Sequence, residues 1–131
     1  MEYSGISKLE NKQDKTSEDL FNIGKHYYDE NNYDKAIYYY KEAGKQGNAN
    51  AFHNLGCMYE FGKGVKQNYD KAVKYYKLAI EKGNTISFYR IEDMYKEGKC
   101  SQEYFEKANE IYTTLLKKAE SDMPNFIILE K

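Results

Sequence analysis

Residues 51–84 read AFHNLGCMYEFGKGVKQNYDKAVKYYKLAIEKGN, and related versions of this stretch occur both before and after it. The tetrapeptide YDKA occurs at 33–36 and 69–72, and FEKA follows at 105–108, so the three copies begin 36 residues apart. A second set of dipeptides keeps the same order: Ile23-Gly24, Leu55-Gly56 and Ile91-Glu92. Self-similarity with a period of this size predicts a solenoid made from three copies of one two-helix unit.

Helix start and stop signals place these units along the chain. Thr16 or Ser17, followed by acidic residues, is a typical helix N-cap, and Gly47-Asn48 and Gly83-Asn84 are typical helix stops. We therefore predict an all-α fold of three antiparallel helix pairs. The expected organisation is a flexible N-terminal segment at 1–16, three repeats at 17–48, 49–84 and 85–121, and a C-terminal tail at 122–131. A short helix that docks on the first repeat is the alternative for the N-terminal segment.

The composition limits what the chain can bind through its overall charge. Among 131 residues, 20 Lys and Arg stand against 21 Asp and Glu, so no overall positive field attracts nucleic acid or an anionic membrane. Two cysteines, Cys57 and Cys100, are too few for a disulfide framework or a metal site. No apolar run has the length of a membrane span, and residues 1–15 lack the apolar core of a secretory signal. We expect a soluble, cytoplasmic protein, with export by a route that needs no such signal left open.

Two glycines, Gly24 and Gly56, fall in the middle of predicted helices, where glycine costs about 1 kcal/mol relative to alanine. We expect close approach of the partner helix to offset this cost, with Ala36 or Ala72 facing the glycine and tyrosine rings above and below. Tyrosines at these positions are therefore expected in the core. In the third unit Glu92 replaces the glycine, and a buried carboxylate needs a partner. We expect the third pair to splay, or Glu92 to reach solvent.

The middle unit carries the residues of a known family pattern. These are Leu55-Gly56, Met58-Tyr59, Gly62, Gly64-Val65, Tyr69-Asp70-Lys71-Ala72, Tyr75-Tyr76, Ala79 and Gly83-Asn84. In this order they resemble the SEL-one-like repeat (SLR), a branch of the tetratricopeptide-repeat (TPR) class, and the resemblance extends over about residues 17–119. It implies a right-handed α-solenoid of antiparallel helix pairs that serves as an adaptor for partner proteins or peptides. The last helix lacks a terminal glycine and suits a C-terminal capping helix or tail.

The C-terminal tail is apolar. Pro124 ends a helix, and four apolar residues follow soon after it. They are Phe126, Ile127, Ile128 and Leu129. An apolar segment of this kind is unfavourable in water when it is exposed. It either folds back over the open end of the third repeat or pairs with a second chain, and in the second case the protein self-associates.

No catalytic, cofactor-binding or metal-binding motif is complete in the sequence. Residues 62–64, Gly-Lys-Gly, are too short for a phosphate loop, and neither GxSxG nor HExxH occurs. His53 and Cys57 lie one helical turn apart, which could place a thiol beside an imidazole, but no third orienting group is indicated. We expect a non-enzymatic interaction module without a cofactor. The alternative is an enzyme or small-molecule binder that uses His53 and Cys57.

The candidate partner-binding residues follow from the stacking geometry. In such a solenoid the first helix of each pair lines the concave face, and residues one or two places from the small residue project into it. They are Asn22, Lys25 and Tyr28 in the first unit, His53, Asn54, Cys57 and Glu60 in the second, and Tyr89, Arg90, Asp93 and Lys96 in the third. Lys25, Asn54 and Arg90 could together hold a carboxylate of a protein or peptide partner. This is similar to part of the carboxylate clamp of some TPR domains, although Phe21 and Ile86 stand where that clamp has lysines.

Overall fold

The computed structural model describes residues 2–122, and the side chains of residues 5–122. Within these residues the backbone forms seven α-helices and no strand. The helices are α1 (Glu2–Asn11), α2 (Ser17–Asp29), α3 (Tyr33–Lys45), α4 (Ala49–Phe61), α5 (Tyr69–Glu81), α6 (Ile86–Lys96) and α7 (Gln102–Asp122). The helices α2–α3, α4–α5 and α6–α7 pack as pairs, and contacts of α3 with α4 and of α5 with α6 join each pair to the next. The predicted all-α solenoid of three antiparallel helix pairs is confirmed.

Side-chain caps begin the helices of the first two pairs. At α2 the Thr16 hydroxyl accepts a hydrogen bond from the Asp19 amide at 3.0 Å, and the Asp19 carboxylate accepts one from the Thr16 amide at 2.9 Å. This reciprocal pair satisfies two donors that a helix start leaves free. The Lys12 ammonium, 2.7 Å from the same carboxylate, and the Thr16 backbone lower the pKa of Asp19 to about 2. Asparagine side chains cap the next three helices: Asn32 for α3, Asn48 for α4 and Asn68 for α5.

Glycine follows the second helix of each of the first two pairs, as the sequence predicts. Gly47 and Gly83 have φ angles of 98° and 108°, in a region that residues with a Cβ rarely adopt. The amides of Asn48 and Asn84 then donate to carbonyls five residues earlier, at 3.0 and 2.9 Å. These bonds satisfy the last carbonyls of the helix. The chain therefore reverses at the same place in both repeats, and the next pair stacks on the one before it.

Tyrosine rings lie against the two mid-helix glycines. A Cβ at Gly24 would lie 2.7 Å from Cδ1 of Tyr40, and a Cβ at Gly56 would lie 2.5 Å from Cδ1 of Tyr76. Both rings are buried. The expectation that an alanine faces each glycine is therefore wrong. The partner helix brings a flat ring against the helix backbone, and this contact, rather than a small facing residue, requires the absence of a Cβ.

A second layer of aromatic rings joins the two helices within each pair. Tyr27 stacks on Tyr39 with ring centroids 5.8 Å apart, Tyr59 on Tyr75 at 5.6 Å, and Tyr95 on Phe105 at 4.6 Å. The rings of each pair are nearly parallel, with interplanar angles of 11°, 15° and 7°. Stacked rings of this kind add to the apolar area that the helices bury. Tyr59 is buried, as predicted, whereas Tyr27 and Tyr95 are only partly buried.

The third pair is the least closely packed of the three. Glu92 takes the place of the mid-helix glycine, keeps 33% of its side chain exposed and lies 3.8 Å from the Lys96 ammonium. Because Glu92 carries a Cβ, the Tyr112 ring stacks instead on Phe88, with centroids 4.3 Å apart. Along α7 only Ala108 is fully buried. The carboxylate reaches solvent, as expected, and leaves the third pair open.

Glu2–Asn11 forms helix α1, which contacts α2, as in the alternative that we gave for the N-terminal segment. The Glu10 carboxylate accepts hydrogen bonds from the hydroxyls of Tyr27 at 2.6 Å and Tyr39 at 3.5 Å. The bond to Glu10 and partial burial raise the pKa of Tyr27 to about 12. The polar sequence of α1 shows no sustained periodicity, and its anchor is a polar contact with residues far along the chain.

The residues for which we predict either a fold-back over the third repeat or self-association, Phe126, Ile127, Ile128 and Leu129, lie outside the described residues. Among the residues that are described, no helix combines the length and the apolar character that a membrane crossing needs.

Candidate functional site

A groove of about 460 Å³ lies between the first helices of the first two pairs, α2 and α4. Most of its lining comes from these helices, with Tyr40 from α3 and Lys63 from the segment after α4. The lining residues are Lys25, Tyr28, Asp29, Tyr40, Asn54, Cys57, Met58, Phe61 and Lys63. Four of them, Lys25, Tyr28, Asn54 and Cys57, belong to the residues that the sequence places on the concave face. The first two repeats therefore bring part of the predicted set together.

The groove combines charged and apolar surface. Lys25 and Lys63 make no ion pair with any of the residues that the structure describes, while Asp29 brings one carboxylate to the same groove. Phe61 is 62% exposed although it is a large apolar side chain. A partner that covers this surface would bury the exposed aromatic ring and could place a carboxylate next to the amines. Both contacts favour binding.

Asn54 lines the groove and forms a side-chain hydrogen bond with buried Tyr40. Burial raises the pKa of Tyr40 to about 12, and the hydrogen bond with Asn54 opposes this effect. An asparagine amide has two donor hydrogens and an acceptor oxygen. One contact to Tyr40 therefore leaves Asn54 with further hydrogen-bonding groups for a bound molecule.

The corresponding position one repeat later holds an internal ion pair. The Arg90 guanidinium donates to Glu60 at 2.6 Å, and the Tyr76 hydroxyl donates to the same carboxylate at 2.7 Å. Glu60 is only 3% exposed. Burial, followed by hydrogen bonds with Cys57 and Glu60, raises the pKa of Tyr76 far above its usual range. This cluster links α4 of the second pair to α6 of the third.

Two sequence interpretations need correction here. Glu60 does not project into the groove, because its carboxylate turns inward to Tyr76 and Arg90. Arg90 does not complete a site with Lys25 and Asn54, since it is absent from the groove lining and already holds the carboxylate of Glu60. Its guanidinium instead lies over the ring of Phe61, 5.4 Å from the centroid.

His53 and Cys57 do come together, as the alternative reading requires. The imidazole Nε2 lies 3.6 Å from the Cys57 Sγ, and Nδ1 lies 2.7 Å from the hydroxyl of buried Ser87. Burial raises the pKa of Cys57 and lowers the pKa of His53. Both shifts favour the neutral thiol and the neutral imidazole, whereas a nucleophilic cysteine needs a lowered pKa. The contact satisfies half-buried polar groups.

The remaining predicted residues lie apart from the groove. Tyr89 is 50% exposed, and its hydroxyl is 2.9 Å from that of Tyr112. Asp93 lies 3.8 Å from Arg90. Two further residues also lie elsewhere: Lys96 pairs with Glu92 at 3.8 Å, and Asn22 lines a shallow depression between α1 and α2. The third repeat therefore adds nothing to the groove lining.

Sequence reasoning missed five lining residues: Asp29, Tyr40, Met58, Phe61 and Lys63. Asp29, Phe61 and Lys63 lie at or just beyond the end of a first helix, outside the window around the mid-helix glycine. Phe61 carried a usable signal, because an aromatic residue directly before the glycine of a helix stop has no partner helix beyond it. The groove is displaced toward the C-terminal ends of α2 and α4 relative to the prediction.

Two family models match the chain, the Sel1 repeat over residues 49–84 and the tetratricopeptide repeat over residues 17–46. A crystal structure of a Sel1 repeat protein from Oxalobacter formigenes is similar, with 26% identity and a TM-score of 0.57, over 76% of this chain and 44% of that one. The immunity protein Pa5087 from Pseudomonas aeruginosa shares the fold, with 22% identity and a TM-score of 0.59, over 75% of this chain and 40% of that one. This chain therefore spans less than half the length of either structure. No curated protein matches it.

Proposed function

We propose, from the premise that the chain is a repeat protein of the Sel1 and tetratricopeptide-like type, that it is a non-enzymatic scaffold for a protein or peptide partner. Repeats of these families generally mediate protein–protein interactions. The partner binds in the groove between α2 and α4. We also propose a reducing, intracellular compartment, because Cys57 and Cys100 are both free thiols.

The observation that carries this proposal is the exposed Phe61 ring beside the unpaired amines of Lys25 and Lys63. An extended peptide segment would place an apolar side chain on Phe61 and a carboxylate near the lysines. Asn54 would hydrogen-bond to the peptide backbone. Because Asp29 also lines the groove, the partner segment carries mixed polar character rather than a run of acidic residues.

An enzymatic role for Cys57 is the weaker alternative. Its contact with His53 favours that reading, but burial acts on both groups against the thiolate and imidazolium forms. The second ring nitrogen of His53 meets the hydroxyl of Ser87, whereas a carboxylate there would stabilise an imidazolium. We therefore assign His53 and Cys57 to packing beneath the groove.

Matched variants test the proposed groove. The double variant Lys25→Ala, Phe61→Ala removes one amine and one exposed ring from the groove. The control Lys74→Ala, Tyr104→Ala removes the same two chemical groups from a depression between α5 and α7. In affinity capture from the native cell, we expect the groove variant to lose a partner that the parent and the control retain. Equal capture by the groove variant would contradict the proposal.

A further inference from the structure

The aromatic ring that lines the groove contacts a residue of the third repeat. Phe61 is the last residue of α4 and is 62% exposed. The guanidinium of Arg90, from α6, lies over its ring, 5.4 Å from the centroid. A guanidinium at this distance is attracted by the negative face of an aromatic ring. Phe61 therefore connects the groove between the first two repeats with a charged residue of the third, although Arg90 itself does not line the groove.

Two carboxylates hold the guanidinium of Arg90 in place. Its Nη2 donates to Glu60 at 2.6 Å, and its Nη1 lies 3.8 Å from the carboxylate of Asp93. Glu60 is only 3% exposed and also accepts a hydrogen bond from the Tyr76 hydroxyl at 2.7 Å. Because the buried carboxylate is bound from two sides, the charged group that pairs with it has little freedom to move. The guanidinium is therefore fixed over the Phe61 ring before any partner binds.

An exposed aromatic side chain loses rotamer freedom when a partner covers it, and this loss lowers the affinity. A contact that restricts the ring in the free protein reduces that loss. We propose that Arg90 is a positioning residue for the groove: it holds the Phe61 ring where the ring lines the groove. This inference rests on the proposed function of the groove and extends it, since binding between the first two repeats then depends on a residue of the third.

The role that we assign to Arg90 requires a guanidinium. This group is planar and carries several N–H donors, so it can bind Glu60 with one nitrogen while its centre lies over Phe61. A lysine ammonium is a compact point charge that can contact either the carboxylate or the ring. Arg90→Lys therefore keeps a positive charge for Glu60 and leaves the ring without its neighbour, which separates positioning of the ring from the ion pair.

A double-mutant cycle on the intact chain tests this role. The probe is a peptide selected from a random library against the intact chain. Its dissociation constant is measured for the parent, for Arg90→Lys, for Phe61→Leu and for the two substitutions together. Lys99→Gln is the matched control, because the Lys99 ammonium lies 5.5 Å from the centroid of the Tyr69 ring and neither residue lines the groove. Far-UV circular dichroism checks that each variant keeps the helical fold.

We expect Phe61→Leu to weaken peptide binding, since it removes the ring that the partner covers. Arg90→Lys should weaken binding about threefold in the parent, which is the size of effect that an exposed contact between a cation and a ring gives. In the Phe61→Leu chain the same substitution should change the dissociation constant by less than about 1.5-fold, because the ring through which Arg90 acts is absent. Lys99→Gln should leave the dissociation constant unchanged.

NMR gives a readout that a purely structural role of Arg90 would not change. Because the ring current of Phe61 shields protons above its face, Phe61→Leu should shift the side-chain signals of Arg90, and the shift that the peptide causes there should be lost in this variant. Equal losses of affinity from Arg90→Lys in both backgrounds, or no loss in either, would overturn the proposal. If Phe61→Leu alone leaves the affinity unchanged, the proposed groove itself is wrong, and this inference falls with it.

Discussion

The junction between the first and second helix pairs differs from the junction between the second and third, although corresponding positions build both. At the first junction the Tyr40 hydroxyl meets Asn54. At the second, Tyr76 donates to buried Glu60, which also accepts from Arg90. Tyr76 and Arg90 each lie 36 residues after their counterparts. The first junction, which we call open, has a groove of about 460 Å³, whereas an ion pair bridges the second, which we call closed.

This difference shows how one helical repeat can serve two purposes. The asparagine carries no charge and leaves polar groups accessible between α2 and α4. The arginine instead reaches a carboxylate that is almost completely buried. Breaking such a pair strongly destabilises the fold, because the remaining charge is left without a partner in a region of low dielectric constant. The first junction is therefore suited to binding, and the second holds two repeats at a fixed spacing.

The largest effect is expected when the closed junction is broken. Arg90→Ala leaves the carboxylate of Glu60 buried with only the Tyr76 hydroxyl as partner, so we expect the free energy of unfolding to fall by about 3–4 kcal/mol. The counterpart Asn54→Ala removes one neutral hydrogen bond at a partly open site and should cost about 1 kcal/mol or less. Urea unfolding, followed by circular dichroism, measures both.

A second substitution separates the charge effect from lost packing. In the Arg90→Ala background, Glu60→Gln removes the buried charge and keeps an acceptor for Tyr76, so it should restore part of the lost stability. If Arg90→Ala and Asn54→Ala cost the same, or if Glu60→Gln restores nothing, the two junctions are not distinct in the way described above.

A smaller effect, similar at both junctions, is expected at the mid-helix glycines. Gly24→Ala and Gly56→Ala place a Cβ 2.7 and 2.5 Å from a buried tyrosine ring. Each should lower the free energy of unfolding by about 2 kcal/mol, since overpacking outweighs the better helix propensity of alanine. Gly5→Ala is the matched control, because a Cβ there meets nothing within 4 Å. Stabilisation by Gly56→Ala would show that the ring does not lie on the backbone.

Alkaline pH should also destabilise both junctions. The pKa of Tyr40 rises from 10.0 to about 12 in the folded chain. Above pH 10 the unfolded chain releases this proton while the folded chain keeps it, so stability falls as pH rises toward 12. At pH 11 the loss from Tyr40 is about 1.4 kcal/mol. Tyr76 contributes in the same direction, because its pKa is also raised.

The substitution Tyr40→Phe isolates the part of this loss that belongs to the first junction. Urea unfolding at pH 8 and pH 11 measures how much the free energy of unfolding falls between the two pH values. This fall should be smaller for the variant than for the parent. An unchanged difference would mean that the Tyr40 hydroxyl ionises as freely in the folded chain as in the unfolded one.

The smallest effect concerns the thiol between the two junctions. Cys57 lines the groove, but its Sγ lies 3.3 Å from the Tyr76 hydroxyl. Because burial raises the pKa of Cys57, it should react with iodoacetamide at neutral pH more slowly than a cysteine introduced by Lys63→Cys at the groove edge. Faster labelling of Cys57 would restore the enzymatic alternative.

The sequence was sufficient for helices α2–α7 and insufficient for α1 and for the junctions. Helix caps and helix stops depend on residues close in sequence, so they were predictable. Examples are the cap formed by Thr16 and Asp19, and the stop at Gly47. The pairing of Glu60 with Arg90 joins residues 30 positions apart in different repeats, and no local pattern specifies it. Phe61 was missed for a different reason: the prediction considered only residues near the mid-helix glycine, and Phe61 lies at the end of α4.

The most direct measurement is to map where a peptide binds. Peptides selected from a random library against the intact chain can be titrated into isotopically labelled protein and followed by NMR. Binding at the open junction predicts that the largest chemical-shift changes occur at Lys25, Asn54 and Phe61. Changes centred on the closed Glu60 and Arg90 junction, or on no contiguous surface, would contradict the assignment of the groove between α2 and α4 as the binding site.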